Sequence, residues 1–177
     1  MSLNYHILLV GLPGVGKTSI ARKLSQILNI EHIDIDFNIE ESQKTTISEF
    51  VNQNGEGSFR VLEKSKLKSI LGNTSPLIIS SGGGIVLEPE NQQLIINKSF
   101  GIHIKCILSE IEDRLDTSGR PLLYNTNKSE KLLDLWNKRC KLYDKVAKIE
   151  IDITGMNISK AILKVYNIIN MQEQLIC

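Results

Sequence analysis

The run Gly11-Leu12-Pro13-Gly14-Val15-Gly16-Lys17-Thr18 is the first place in this 177-residue chain where residue types and spacing suit a definite chemistry. It matches G-x-x-x-x-G-K-[ST]: glycines that let backbone N–H groups converge on an anion, closed by a lysine and a hydroxyl. The apolar run Tyr5 to Val10 precedes it and a helical pattern follows. In that context such a loop cradles the phosphates of a nucleotide, with the positive end of the helix behind them. Lys17 would reach the β- and γ-phosphates, and the Thr18 hydroxyl could ligate Mg²⁺. Guanine-binding loops of this class pair with Asn-Lys-x-Asp. Here Asn97-Lys98, Asn127-Lys128 and Asn137-Lys138 are followed at the last position by Phe100, Glu130 and Cys140, so ATP is the favoured nucleotide.

Asp34-Ile35-Asp36 follows the second apolar run and is expected to set two carboxylates on one side of a strand at its C-terminal end, where open α/β sheets bind ligands. The plainer alternative makes Asp36 a helix cap ahead of Phe37, Ile39 and Glu40. Beside a phosphate loop, an Mg²⁺ partner and a base for a hydroxyl fit better. A third run enters Ser80-Ser81-Gly82-Gly83-Gly84 without the aspartate that usually holds the metal at such a strand end, so Asp34 must substitute for it. The glycines leave room for a small ligand against the main chain, unless they form only a loose turn.

Lysine outnumbers arginine 16 to 5, which singles out Arg22, Arg60, Arg114, Arg120 and Arg139 as candidates for places that need a planar, bidentate fork or a stacking charge, with plain surface scatter the alternative for each. Arg60 lies three residues before Glu63, within reach of an orienting ion pair on a helix. The three histidines, His6, His32 and His103, have no metal-ligand spacing and are expected to be structural.

These residues need an α/β scaffold. The runs Tyr5–Val10, Glu31–Ile35, Leu77–Ser80, Ile102–Leu108 and Ile149–Ile153 read as five strands of a parallel sheet covered on both faces. Ile20, Leu24, Ile27 and Leu28 form one helical stripe, and Ile158, Ala161, Ile162, Val165 and Ile169 another. The polar, aperiodic stretch Gly119 to Ser129 reads as a long loop, either of the kind that serves as a lid or a plain disordered connection. Length predicts one domain over residues 1–177. With 21 basic against 20 acidic side chains, the net charge of +1 supplies no field for nucleic acid or an anionic membrane. Three cysteines without Cys-x-x-Cys spacing suit a reducing cytoplasm. Tyr5–Val10 is too short for a membrane span and lacks a basic leader.

Taken together, the chain resembles shikimate kinase. The likeness rests on the phosphate loop, Asp34-Ile-Asp36 with Glu40, Gly55-Glu56-x-x-Phe59-Arg60-x-x-Glu63, Gly82-Gly83-Gly84, Arg120-Pro121-Leu122-Leu123 and Arg139-x-x-x-Tyr143. The resemblance implies a P-loop fold like that of nucleoside monophosphate kinases: a five-stranded parallel sheet in the order 2-3-1-4-5 flanked by helices. It further implies an acceptor-binding segment over about residues 34–63 and a mobile lid over about 116–130; a monomer is the separate expectation. The implied reaction is ATP-dependent phosphorylation of the 3-hydroxyl of shikimate in chorismate biosynthesis. By position, Gly14, Val15, Gly16, Lys17, Thr18 and Ser19 would bind the ATP phosphates, with Arg114 over the adenine and Arg120 also on ATP. Asp36, Arg60, Gly82, Gly83 and Arg139 would hold shikimate, the arginines on its carboxylate. Lys17, Asp36 and Arg120 would be catalytic, and Thr18 and Asp34, the latter through water, would hold Mg²⁺. The adenine pocket would include residues Thr154 to Asn157. A gluconate kinase of the same fold, or an ATP-binding regulator without catalysis, are the rival readings. The Arg60–Arg139 pair argues against the first, and a base together with a lid arginine against the second.

Overall fold

The computed structural model describes residues 3–115 and 128–176. Five strands, β1 (His6–Val10), β2 (His32–Asp34), β3 (Ile78–Ser80), β4 (Ser99–Lys105) and β5 (Ile149–Asp152), form one parallel sheet in the order β2-β3-β1-β4-β5. The order is the one expected. Every residue of β1 is buried, as the central strand of a parallel sheet requires, and Ile7, Leu8, Leu9 and Val10 have no exposed surface. Full burial of such a side chain contributes about 1.5–3 kcal/mol, so this strand anchors the core.

Parallel neighbours need crossover connections, and helices supply them. α1 (Lys17–Leu28) leaves the phosphate loop and packs on β3 and on the C-terminal helix α7 (Ile158–Ile176), while α4 (Pro89–Lys98) packs on β4 and on α6 (Lys128–Val146). The stripe of α1 buries Ile20, Ala21, Leu24 and Leu28, and Ile27 turns out to solvent. On α7 Ala161, Ile162, Val165 and Ile169 are buried and Ile158 is exposed. α2 (Ile35–Gln43) and α3 (Ile47–Ile70) form the segment between β2 and β3. A capping box starts α3, with Thr46 Oγ1 accepting from the Glu49 N–H at 3.2 Å and the Glu49 carboxylate accepting from the Thr46 N–H at 3.1 Å. Gly55, at φ 81°, kinks the helix just before Glu56 and Arg60.

Three expectations change. β2 stops at Asp34 and α2 begins at Ile35, so Asp34 and Asp36 do not share a strand; Asp34 caps the helix by accepting the Phe37 N–H at 3.1 Å, and Asp36 lies in its first turn. β4 covers Ser99–Lys105 rather than Ile102–Leu108 because Ser99 and Phe100 pair with His6 and Ile7, and Leu108 already belongs to α5 (Leu108–Arg114). Residues 128–130 of the expected lid open α6, and the rest of that segment, Arg120 included, lies outside the described residues. No helix among the described residues is long and apolar enough to cross a membrane.

His6 and His103 are buried, and burial holds both rings below the ordinary 6.5, against hydrogen bonding from Asn73 and from Asp144 respectively. The unfolded chain therefore binds more protons than the folded one as pH falls through 6.5 towards the folded values, and stability falls with it. The thermal midpoint should be lower at about pH 5.5 than at about pH 7.5. Equal midpoints followed by circular dichroism would mean that these rings titrate alike in both states.

Candidate active site

Strand ends and the first turns of two helices converge on a cleft of about 680 Å³ at the C-terminal edge of the sheet. Gly14, Gly16, Lys17, Thr18 and Ser19 line one wall, and Asp34, Asp36, Gly82 and Gly83 line the other. The phosphate loop has its backbone geometry already in place, with Gly14 at φ 82° and Gly16 at φ 108°, values that only glycine adopts cheaply. Val15 is fully buried, so only its main chain can serve the loop. Lys17 is buried and its Nζ donates to the carbonyls of Gly11 and Leu12, both at 2.9 Å, which keeps the ammonium folded over the loop.

Asp34 gathers donors. Its Oδ2 accepts from the Thr18 hydroxyl at 2.7 Å and from the Ser80 hydroxyl at 2.8 Å, while Oδ1 takes the helix N–H. Asp34 and Ser80 are register partners on β2 and β3, so the carboxylate from β2 reaches the strand end where a P-loop aspartate would otherwise stand. His32, two residues earlier on the same face of β2, places Nε2 2.9 Å from Ser80 Oγ. Thr18 spends its one hydrogen on Asp34 and keeps its lone pairs. A hydroxyl and a carboxylate bordering a phosphate loop are the hard oxygen donors that suit Mg²⁺, which takes one or two protein ligands and fills its shell with waters and phosphate oxygens.

Each glycine of the third strand end answers a particular neighbour. A Cβ on Gly82 would stand 2.6 Å from Asp36 Oδ1, one on Gly83 2.8 Å from Pro13 Cδ, and one on Gly84 2.5 Å from an Arg60 terminal nitrogen. The turn is therefore a mould for three groups and not a loose connection. It is closed from α6, where the fully buried Tyr143 hydroxyl donates to the Gly83 carbonyl at 2.6 Å. Burial pushes that phenol up to about 12 against the pull of the Arg139 charge, so it stays a donor.

Arg60 and Arg139 do not line the cleft itself; they stand beyond Gly83, around Glu63. Arg60 is ion-paired to Glu63 and to Glu56, both at 2.8 Å. Burial alone would lower its pKa, yet the two carboxylates raise it. Burial likewise pushes the Glu63 carboxyl up, opposed by Arg60 and Arg139. Arg139 is buried on α6 one turn before Tyr143. Arg114 sits apart on α5, paired with Glu110 at 2.6 Å. Glu110 also accepts the Gly155 N–H at 2.8 Å, which brings the expected adenine-side residues together.

Sequence reading missed the parts played by Ser80, His32 and Tyr143. The His-x-Asp alternation of β2 puts His32 on the Asp34 face, and the Arg139-x-x-x-Tyr143 motif marks Tyr143 without giving its part. Arg22, Phe37 and Glu40 also line the cleft, and Glu40 ties α2 to α3 by accepting the Ile47 N–H at 2.9 Å.

A family model described as shikimate kinase matches residues 13–170. A shikimate kinase of Dictyoglomus turgidum is 34% identical over 155 residues, covering 85% of this chain and 89% of the relative. One of Enterococcus faecalis is 32% identical, covering 84% and 89%. A solved shikimate kinase from Acinetobacter baumannii in complex with shikimate superimposes with a TM-score of 0.86 at 27% identity, covering 96% of this chain and 93% of that one.

Proposed function

The chain belongs to the shikimate kinase family, and on that premise we propose how its residues share the reaction it catalyses, the ATP-dependent phosphorylation of the shikimate 3-hydroxyl on the route to aromatic amino acids. The observation that carries the assignment is the Gly82–Gly84 turn, which seats a carboxylate at one end and a guanidinium at the other beside a phosphate loop. A hydroxyl acid acceptor needs both: a base for the attacking oxygen and a fork for the carboxylate.

The phosphate loop, residues Gly14 to Ser19, holds the ATP phosphates, and Lys17 swings from the loop carbonyls to the β- and γ-phosphates. Asp36 accepts the proton of the 3-hydroxyl as that oxygen bonds to the γ-phosphorus and the bond to the ADP oxygen breaks. Lys17, with Arg120, offsets the charge on the transferring group. Gly82 and Gly83 let the acceptor lie against the main chain, and Arg60 and Arg139 grip its carboxylate, with Glu63 and Glu56 fixing the Arg60 plane. Arg114 covers the adenine. Thr18, and Asp34 through water, would hold Mg²⁺, which would neutralise phosphate charge when bound. All these groups come from one chain, so a monomer with a single kinase domain, an acceptor segment over about residues 34–63 and a lid ahead of α6, over about 116–127, suffices. The free thiols Cys106 and Cys140 suit the reducing cytoplasm, and a net charge of +1 supplies no diffuse field that would draw in nucleic acid or an anionic membrane.

Incubation with Mg·ATP and a panel of hydroxy acids and polyols tests the assignment: shikimate should consume ATP and gluconate should not. ATP consumption with gluconate alone would overturn it. Arg60→Lys or Arg139→Lys keeps the charge but loses the fork, and shikimate affinity should fall by about 1.5–3 kcal/mol, the range for a hydrogen bond to a charged group. ATP affinity measured alone should hold; the reverse pattern would move both arginines to the nucleotide.

Gly82→Ala drives a Cβ into Asp36, and a displacement approaching 1 Å near reacting atoms costs on the order of 10²-fold. The Gly57 position has no neighbour within 4 Å of an added Cβ, so Gly57→Ala should leave turnover unchanged and serves as the control. Equal turnover in the two variants would mean that Asp36 need not sit against the turn.

A further inference from the structure

We propose that His32 is a positioning residue for the metal-holding carboxylate, acting on Asp34 through the Ser80 hydroxyl. This rests on the reading that Asp34 holds Mg²⁺ through water.

Hydrogen counting carries the inference. An ionised carboxylate oxygen has no hydrogen to give, so the 2.8 Å contact between Ser80 Oγ and Asp34 Oδ2 is bridged by the serine's one hydrogen. The 2.9 Å contact between Ser80 Oγ and His32 Nε2 must then take its hydrogen from the ring. His32 is thereby held as the Nε2–H form, donating to a serine oxygen that can only accept. Were Nε2 the acceptor, the serine hydrogen would turn to it, and two lone-pair-bearing oxygens would face each other across the Ser80–Asp34 contact. The ring N–H thus reinforces the hydroxyl orientation that supports Asp34.

The same count explains why Asp34 needs this support. Oδ2 receives two hydroxyls, from Thr18 and Ser80, and Oδ1 receives one backbone N–H. Three donors set the carboxylate plane and leave lone pairs for a metal-bound water. Loss of the Ser80 donor would leave one hydroxyl and a helix-cap bond, and the carboxylate could rotate about its last torsion. The strands set the arrangement: Asp34 and Ser80 are register partners, and His32 precedes Asp34 by one pleat period on the same face. Outer-shell partners of this kind orient a ligand without touching the metal.

Nitrogen-15 NMR of the metal-free enzyme, with His32 assigned by comparison with His32→Gln, reads the ring directly. The expected result is a protonated Nε2 and an unprotonated Nδ1 at neutral pH. The second measurement is calorimetric: ADP affinity with and without Mg²⁺, whose ratio is the metal increment. His32→Phe, which removes the donor, should lower that increment on the order of tenfold while metal-free ADP affinity and shikimate affinity stay unchanged. His32→Gln sets an amide N–H near the Nε2 position and should recover most of it, which a purely packing role would not allow. An Nδ1–H ring, an unchanged increment in His32→Phe, or no recovery in His32→Gln would each overturn the proposal, provided that Asp34→Asn lowers the increment. An unchanged increment in Asp34→Asn would instead remove Asp34 from the metal, overturning the underlying reading and the proposal with it.

Discussion

Lys17→Ala should lower turnover by about 10²–10³-fold, the scale set by losing one preorganised donor to developing charge. The lysine is buried in the cleft wall, and its ammonium donates to the loop carbonyls of Gly11 and Leu12. The lysine supplies charge to the phosphates rather than packing to the core, so the fold should survive and the deficit should be electrostatic. The signature is a fall in kcat well beyond any rise in KM for shikimate, because the proposed part of Lys17 is on the phosphates and not on the acceptor. Circular dichroism and shikimate affinity confirm an intact protein; near-normal turnover in such a variant would take Lys17 out of the reaction.

Asp36→Asn should be comparable in size, with general-base effects typically about 10²–10⁴-fold and the lower end favoured by a loose phosphoryl-transfer transition state. Asparagine keeps the shape that fits against Gly82 but cannot take a proton at neutral pH. ATP affinity should change little, since Asp34 and the loop stay as they were. The two carboxylates separate cleanly in function because the chain switches from strand to helix between them: Asp34 spends itself on Thr18, Ser80 and the α2 cap, while Asp36 projects from the first turn towards the glycine turn. A lower thermal midpoint with full turnover would assign Asp36 a structural part only. Full turnover with an unchanged midpoint would leave the proton to solvent.

How much of this was legible from residue order depends on the range of the interaction. The phosphate loop could be read because its function is local: consecutive glycines, a lysine and a hydroxyl at a strand-to-helix junction carry their own geometry. Arg60–Glu63 could be read for the same reason, since three residues on a helix bring side chains within a few ångströms. The sheet order was legible only through resemblance to a family, because apolar runs report that a strand is buried and not which strand lies beside it.

Tertiary structure alone decided the rest. Ser99 and Gly101 belong to β4 because β1 pairs with both and the end of α6 lies against Gly101, whereas the more apolar Cys106 and Ile107 leave the sheet; pairing outweighed hydropathy. Gly82, Gly83 and Gly84 look alike in sequence, but each faces a different neighbour, Asp36, Pro13 or Arg60, drawn in from far along the chain. Tyr143 closes the turn across a separation of 60 residues, and His32 meets Ser80 across 48. Such contacts are fixed by strand register and helix docking, which depend on the summed packing of the whole core. A sequence determined which groups this chain has for phosphate, proton and carboxylate chemistry, and the packed sheet determined which of them stand within hydrogen-bonding distance of one another.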